Sequence, residues 1–148
     1  MDAPALLAPE LVAADSALVD VLVPSPNFGV RKAAVDMLVL HYTGMESAEA
    51  AIELLRTPAA EVSCHYVVRE DGSIVQMVAE GARAWHAGLS SWEGITDTNS
   101  RSIGIEIVNG GHDFGLAPFP EAQIARVVAL SRDIITRHGI RADRVLAH

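Results

Sequence analysis

"VDMLVLHYT", residues 35–43, decides the fold of this 148-residue chain. It is a dense apolar run of strand length that Gly44 closes, and it predicts the central strand of a sheet. Working outward, Ser47 opens "SAEAAIELLRTP", in which Ala51, Leu54 and Leu55 share one helical face before Pro58. Residues 62–69, "VSCHYVVR", read as a second strand. The Asp-Gly of "EDGS" predicts a tight turn after it, so "IVQMVA" should return antiparallel. "ARAWHAG" is a short extended piece, and residues 89–100, "LSSWEGITDTNS", are a turn-rich loop long enough to be functional. "RSIGIEIVN" (101–109) alternates, with Ile103, Ile105 and Ile107 on one face and Ser102, Gly104, Glu106 and Val108 on the other. A long helix starts at Pro120, carries Ile124, Val127, Val128, Ser131, Ile134 and Ile135 at helical spacing, and ends at Gly139. "RVLAH" (144–148) forms a last short strand. These elements predict one α/β domain, a mixed central β-sheet flanked by helices. Pro24 and Pro26 close an N-terminal arm, residues 1–24, ahead of a domain spanning 25–148, and the apolar "SALVDVLV" should pack on that domain.

Bulk properties exclude several functions. Half the residues are hydrophobic and 20% are charged, as in a soluble globular domain rather than a disordered chain. A net charge of −8, with basic residues scattered, argues against a nucleic-acid partner. No stretch approaches the ~20 apolar residues that span a bilayer. The N-terminus lacks a basic region and is interrupted by Asp2, Glu10, Asp15 and Asp20, so no signal peptide is expected. The single cysteine, Cys64, excludes an intramolecular disulfide framework and reads as a core thiol. Together these predict a cytoplasmic protein, or a periplasmic one if a leader has been removed.

Of the six histidines, His138 in the last turn of the long helix suits the helix dipole, and His112 in "NGGHDFG" reads as exposed loop. His41 and His148 each end an apolar strand. They are either core histidines satisfied by backbone carbonyls or ligands of a zinc site at a sheet edge, where a catalytic zinc needs three protein ligands and an open position. Glu106 lies mid-strand between isoleucines. It is either an exposed-face carboxylate or, if half-buried, a proton shuttle with raised pKa. His86 beside Trp85, with Trp92 following, resembles the wall of a groove for a sugar or peptide; the alternative for Trp85 is core.

Five segments in order, "LVLHYTG", "VSCHYVVREDGSIVQMV", "RAWHAG", "NSRSIGIEIVN" and "RVLAH", resemble the zinc-dependent N-acetylmuramoyl-L-alanine amidases, a family that includes the peptidoglycan-recognition proteins. "SPNFGVR" (25–31) is similar to the entry to this domain in bacterial members. The resemblance implies that His41 and His148 are zinc ligands and that Glu106 is the catalytic glutamate. It implies that Trp85 and His86 line the substrate groove, with His65 and Asn109 as further substrate contacts. The implied reaction is hydrolysis of the amide between N-acetylmuramic acid and L-alanine of peptidoglycan or a muropeptide. Family members carry a third ligand, an aspartate or cysteine, beyond the second histidine, often preceded by a lysine that stabilises the oxyanion. Here the chain ends at His148, unless Asp143, His65, His86 or the terminal carboxylate substitutes. The expectation is a chain cut after its second ligand, with weak zinc binding and low activity. The alternative is a non-catalytic muropeptide-binding module.

Overall fold

The computed structural model describes residues 8–88, 96–115 and 117–147. In chain order the described strands are β1 (Val21–Leu22), β2 (Phe28–Val30), β3 (Met37–Tyr42), β4 (Tyr66–Val68), β5 (Ile74–Gln76), β6 (Ala82–Ala84), β7 (Ser102–Ile107) and β8 (Val145–Ala147). The helices are α1 (Ala48–Leu55), α2 (Thr98–Arg101) and α3 (Glu121–His138). Six strands form one mixed sheet in the order β1-β5-β4-β7-β3-β8. β4, β7, β3 and β8 are mutually parallel, and β5 returns antiparallel to β4 across the predicted Asp-Gly turn. That turn is held by Asp71, which accepts from the Ser73 amide at 2.8 Å, and by Gly72 at φ +89°.

β3 is not the central strand. It lies one place in from the β8 edge, and β7 separates it from β4. Hydrophobic density in "VDMLVLHYT" reports burial on two faces, which an inner strand has wherever it lies in the sheet. The arm is part of this sheet: β1 pairs in parallel with β5, and the amides of Asp20 and Val23 each donate to β5 carbonyls at 2.9 Å. A second, two-stranded sheet of β2 and β6 carries the segment that leads into Trp85 and His86.

The faces of the sheet are covered by different helices. On one side Ile103, Ile105 and Ile107 of β7, Leu38 of β3 and Tyr66 of β4 pack on Val127, Leu130 and Ile134 of α3. On the other, Val67, Val75 and Val108 pack on Ala48, Ile52 and Leu55 of α1. The alternation read from "RSIGIEIVN" is therefore realised in three dimensions, and Glu106 falls on the α1 side with Val108.

The helices shift the expected faces slightly. Leu54 of α1 and Ile124 and Val128 of α3 are exposed, while Gln123 is fully buried. Gln123 enters the core because its amide nitrogen donates to Val68 O at 3.2 Å and Val108 O at 2.8 Å, just where β4 and β7 end. Pro120 stands one place before the first turn of α3, and Gly139 closes the helix at φ +66°. At α1 the Ser47 hydroxyl accepts from the Ala50 amide at 3.1 Å. Ser47→Ala should cost about 1 kcal/mol of stability, read as a lower urea midpoint with unchanged slope; an unchanged midpoint would remove that cap from the account.

Candidate active site

Parallel pairing sets His41 of β3 opposite Glu106 of β7, with Val67 of β4 on the far side of Glu106. Both side chains lie toward the carboxyl ends of parallel strands, where open α/β sheets place their ligands. On the other side of β3, Ala147 of β8 pairs with Leu40, the residue before His41. His148 itself, like Trp92, is outside the described residues.

Glu106 is half-buried, and its Oε2 is a buried oxygen with no hydrogen-bond partner among the described residues. Burial alone pushes its carboxyl from the ordinary 4.5 up to about 8. It lines a cavity of about 170 Å³ with Thr43, Met45, Leu54, Val62 and Trp85. A larger cavity of about 720 Å³ shares Val62, Trp85 and His86 and continues past Asn27, Glu61 and Arg83. Trp85 is thus half-buried groove wall rather than core, fixed through its backbone by Ser63 on both its amide and its carbonyl at 2.9 Å.

His41 is buried, and its Nε2 lies 2.9 Å from Nδ1 of His86. The two rings meet edge to face, with centroids 5.1 Å apart. The His86 segment is clamped by α2. Asn99 Oδ1 accepts from the amides of His86 and Ala87 at 3.0 and 2.8 Å, and Asp97 both caps α2 and pairs with Arg83 at 2.9 Å. Nothing in "TDTNS" announced a helix, so sequence reasoning missed Asp97, Asn99 and Ser102. The one signal pointing there is Gly104, a strand-interior glycine on the face of Glu106. A Cβ at Gly104 would come within 2.5 Å of the His86 ring, so the glycine is the floor on which that ring lies.

Two of the expected substrate contacts, His65 and Asn109, are engaged within the fold itself. His65 has no exposed surface; its Nδ1 accepts from the Gly104 amide at 3.1 Å and its Nε2 donates to Ala82 O at 2.9 Å. Burial first, then the neighbouring Arg31 charge, lowers its pKa to about 3, so it is a neutral core histidine. Asn109 is buried too, and both ends of its amide tie down its own loop. Its Nδ2 donates to Ala117 O and its Oδ1 accepts from the Gly111 amide, each at 2.8 Å. Cys64 is buried as expected and His112 is exposed. His138 is not a simple dipole partner: its Nε2 lies 2.7 Å from Glu80.

Among the described residues no group of three or more His, Cys, Asp or Glu is placed to hold a metal ion. Asp143 is engaged by Arg141 at 2.7 Å, and His65 is enclosed, so neither stands in for a third ligand. The donor types beside the cavity nevertheless suit zinc: a buried imidazole from His41 and the partnerless Glu106 oxygen, whose proton affinity a nearby cation would reduce.

Comparison with known proteins defines the class first. The fold superimposes on the crystal structure of a selenomethionine AmpD derivative with a TM-score of 0.77 at 30% identity, covering 90% of this chain and 82% of that one. It also matches Escherichia coli AmiD, solved in complex with the substrate anhydro-N-acetylmuramic acid-L-Ala-D-γ-Glu-L-Lys. The TM-score there is 0.70 at 33% identity, covering 93% of this chain and 52% of that one. By sequence, the N-acetylmuramoyl-L-alanine amidase AmiD of E. coli K12 is 39% identical over 126 residues, which cover 77% of this chain and 45% of that protein. The family profile described as N-acetylmuramoyl-L-alanine amidase matches residues 31–148, and the chain belongs to that family. It spans less than half the length of the first curated relatives it matches.

Proposed function

We propose that this chain supplies the catalytic face of a zinc-dependent amidase that cleaves the bond between N-acetylmuramic acid and L-alanine in peptidoglycan or its fragments. The observation that carries this reading is the buried Glu106 oxygen, without a partner among the described residues, set beside His41 on the wall of an open groove. His41 and His148 would hold the metal. Bound there, zinc would supply an acidified water and a Lewis acid for the scissile carbonyl. Glu106 takes the proton of the attacking water and returns it to the departing alanine nitrogen, a task that suits a carboxyl of near-neutral proton affinity. Trp85 forms the wall against which the muramyl-peptide lies, and the larger cavity gives room for the groups flanking the bond. The free, buried Cys64 supports a reducing, cytoplasmic setting, in which imported muropeptides would be the substrate. No helix among the described residues is long and apolar enough to cross a membrane.

The second reading is a muropeptide-binding module, which the same open groove walled by Trp85 would also suit. Mass analysis of an N-acetylmuramoyl-L-alanyl peptide incubated with the protein, with zinc supplied and then chelated, separates the two. The expected products are the free muramyl sugar and a peptide with an L-alanine amino terminus, formed with zinc and not after its chelation. Retention of intact muropeptide without turnover would favour the binding module. Cleavage at another bond, or cleavage indifferent to the chelator, would overturn both zinc and bond assignment.

A further inference from the structure

The groups behind His41 form a chain of hydrogen bonds whose direction is set from one end. The Thr98 carbonyl can only accept, and the Ser102 Oγ lies 2.7 Å from it, so the hydroxyl proton sits between the two oxygens. Ser102 Oγ, with its one proton committed, accepts from His86 Nε2 at 2.9 Å. A neutral His86 ring protonated on Nε2 presents a lone pair on Nδ1, which accepts from His41 Nε2 at 2.9 Å. His41 then carries its proton on Nε2, and its metal-binding lone pair is on Nδ1. The ring in the middle has little freedom: Gly104 lies against its face, and Asn99 fixes its backbone. Ser102 is fully buried, so water does not compete for its hydroxyl.

We infer that Ser102 and His86 are positioning residues: the relay Thr98–Ser102–His86–His41 fixes the tautomer and ring orientation in which His41 offers Nδ1 to the metal. This rests on the reading of His41 as a zinc ligand. It assigns His86 a task distinct from contact with substrate, and gives Ser102 and Gly104 reasons to be the residues they are. Outer partners of metal-bound histidines work in this way, usually as carboxylates or carbonyls; here a second imidazole passes the constraint on from a backbone carbonyl.

The test is long-range proton–nitrogen spectroscopy of the metal-free protein labelled in its imidazole nitrogens. In the wild type His41 should be protonated on Nε2. In Ser102→Ala the proton of His86 loses its acceptor and can move to Nδ1, so His41 should become a mixture of tautomers. Zinc affinity, measured by competition with a chelator, should fall about tenfold or more, with the unfolding transition retained. A wild-type His41 protonated on Nδ1 overturns the inference without any variant. So does Ser102→Ala with an unchanged His41 tautomer and unchanged zinc affinity. Should the wild type bind no zinc, the zinc reading fails, while the metal-free spectrum still decides whether the relay exists.

Discussion

Glu106→Gln is expected to lower muropeptide hydrolysis by about 10²- to 10⁴-fold, the range that a positioned general acid–base supplies. The exchange keeps the shape that fills the wall of the 170 Å³ cavity and removes only the capacity to move a proton. Zinc retention by the histidines should change little, so the loss should appear in kcat rather than in metal content. A second readout is independent of turnover. In the metal-free protein the Glu106 carboxyl has a folded pKa of about 8, above its ordinary 4.5. A raised carboxyl favours the folded state while it is protonated there. That contribution is full below about 4.5 and is lost as pH rises through about 8. Metal-free wild type should therefore lose stability, of order a few kcal/mol, across this interval, and Glu106→Gln should not. A variant that retained more than about a tenth of the activity would fall outside that range and remove Glu106 from the chemistry.

The parts legible in the sequence were those with a local period. β3 and β7 announced themselves by apolar run and by alternation, and the alternation placed Glu106 on a face different from that of Ile105. Parallel pairing then brought together residues 65 positions apart, so their being side by side was available only through the family resemblance, not through spacing. β2 and β6 are three residues each, too short to show a period, and each gains its reason to be extended from the other. The internal partners of His65 and Asn109 were not legible in the sequence, for one reason. A polar residue near a catalytic strand looks like a substrate contact until its long-range partners are known. For His65 these are a backbone amide 39 positions away and a carbonyl 17 away. Ser102 was read as one more small residue on the Glu106 face, because its partners, Thr98 and His86, come together only when α2 forms. Burial of a polar group is a tertiary fact, and local sequence carries little of it.

The largest stability effect is expected at Glu80, a residue the sequence does not single out. Its side chain is 4% exposed and accepts hydrogen bonds from Arg137 Nη1 and Nη2 at 2.7 and 2.8 Å. His138 Nε2 lies 2.7 Å away, and the fully buried Tyr66 hydroxyl also donates to it. This carboxylate therefore ties the C-terminal turn of α3 to β4 through charge-assisted bonds. Burial alone would raise its pKa, but hydrogen bonds from Arg137, His138 and Tyr66, with the Arg137 charge, overcome that and hold it at about 2. A depressed carboxyl stabilises the fold fully above its unfolded value near 4.5, and the contribution is lost as pH falls through about 2. Glu80→Ala should destabilise by about 3 kcal/mol at neutral pH, since it leaves the buried Tyr66 hydroxyl and both Arg137 Nη atoms without this acceptor, while Arg137 Nε keeps Asp133. The isosteric Glu80→Gln should cost less, because its carbonyl oxygen still accepts one donor while its amide group faces the rest. Urea unfolding of wild type and Glu80→Gln from pH 7 down to pH 2 isolates the charge, as the gap between the two should close on acidification. Parallel stability curves over that range would mean that the carboxylate charge contributes nothing, and that the cluster holds α3 by packing alone.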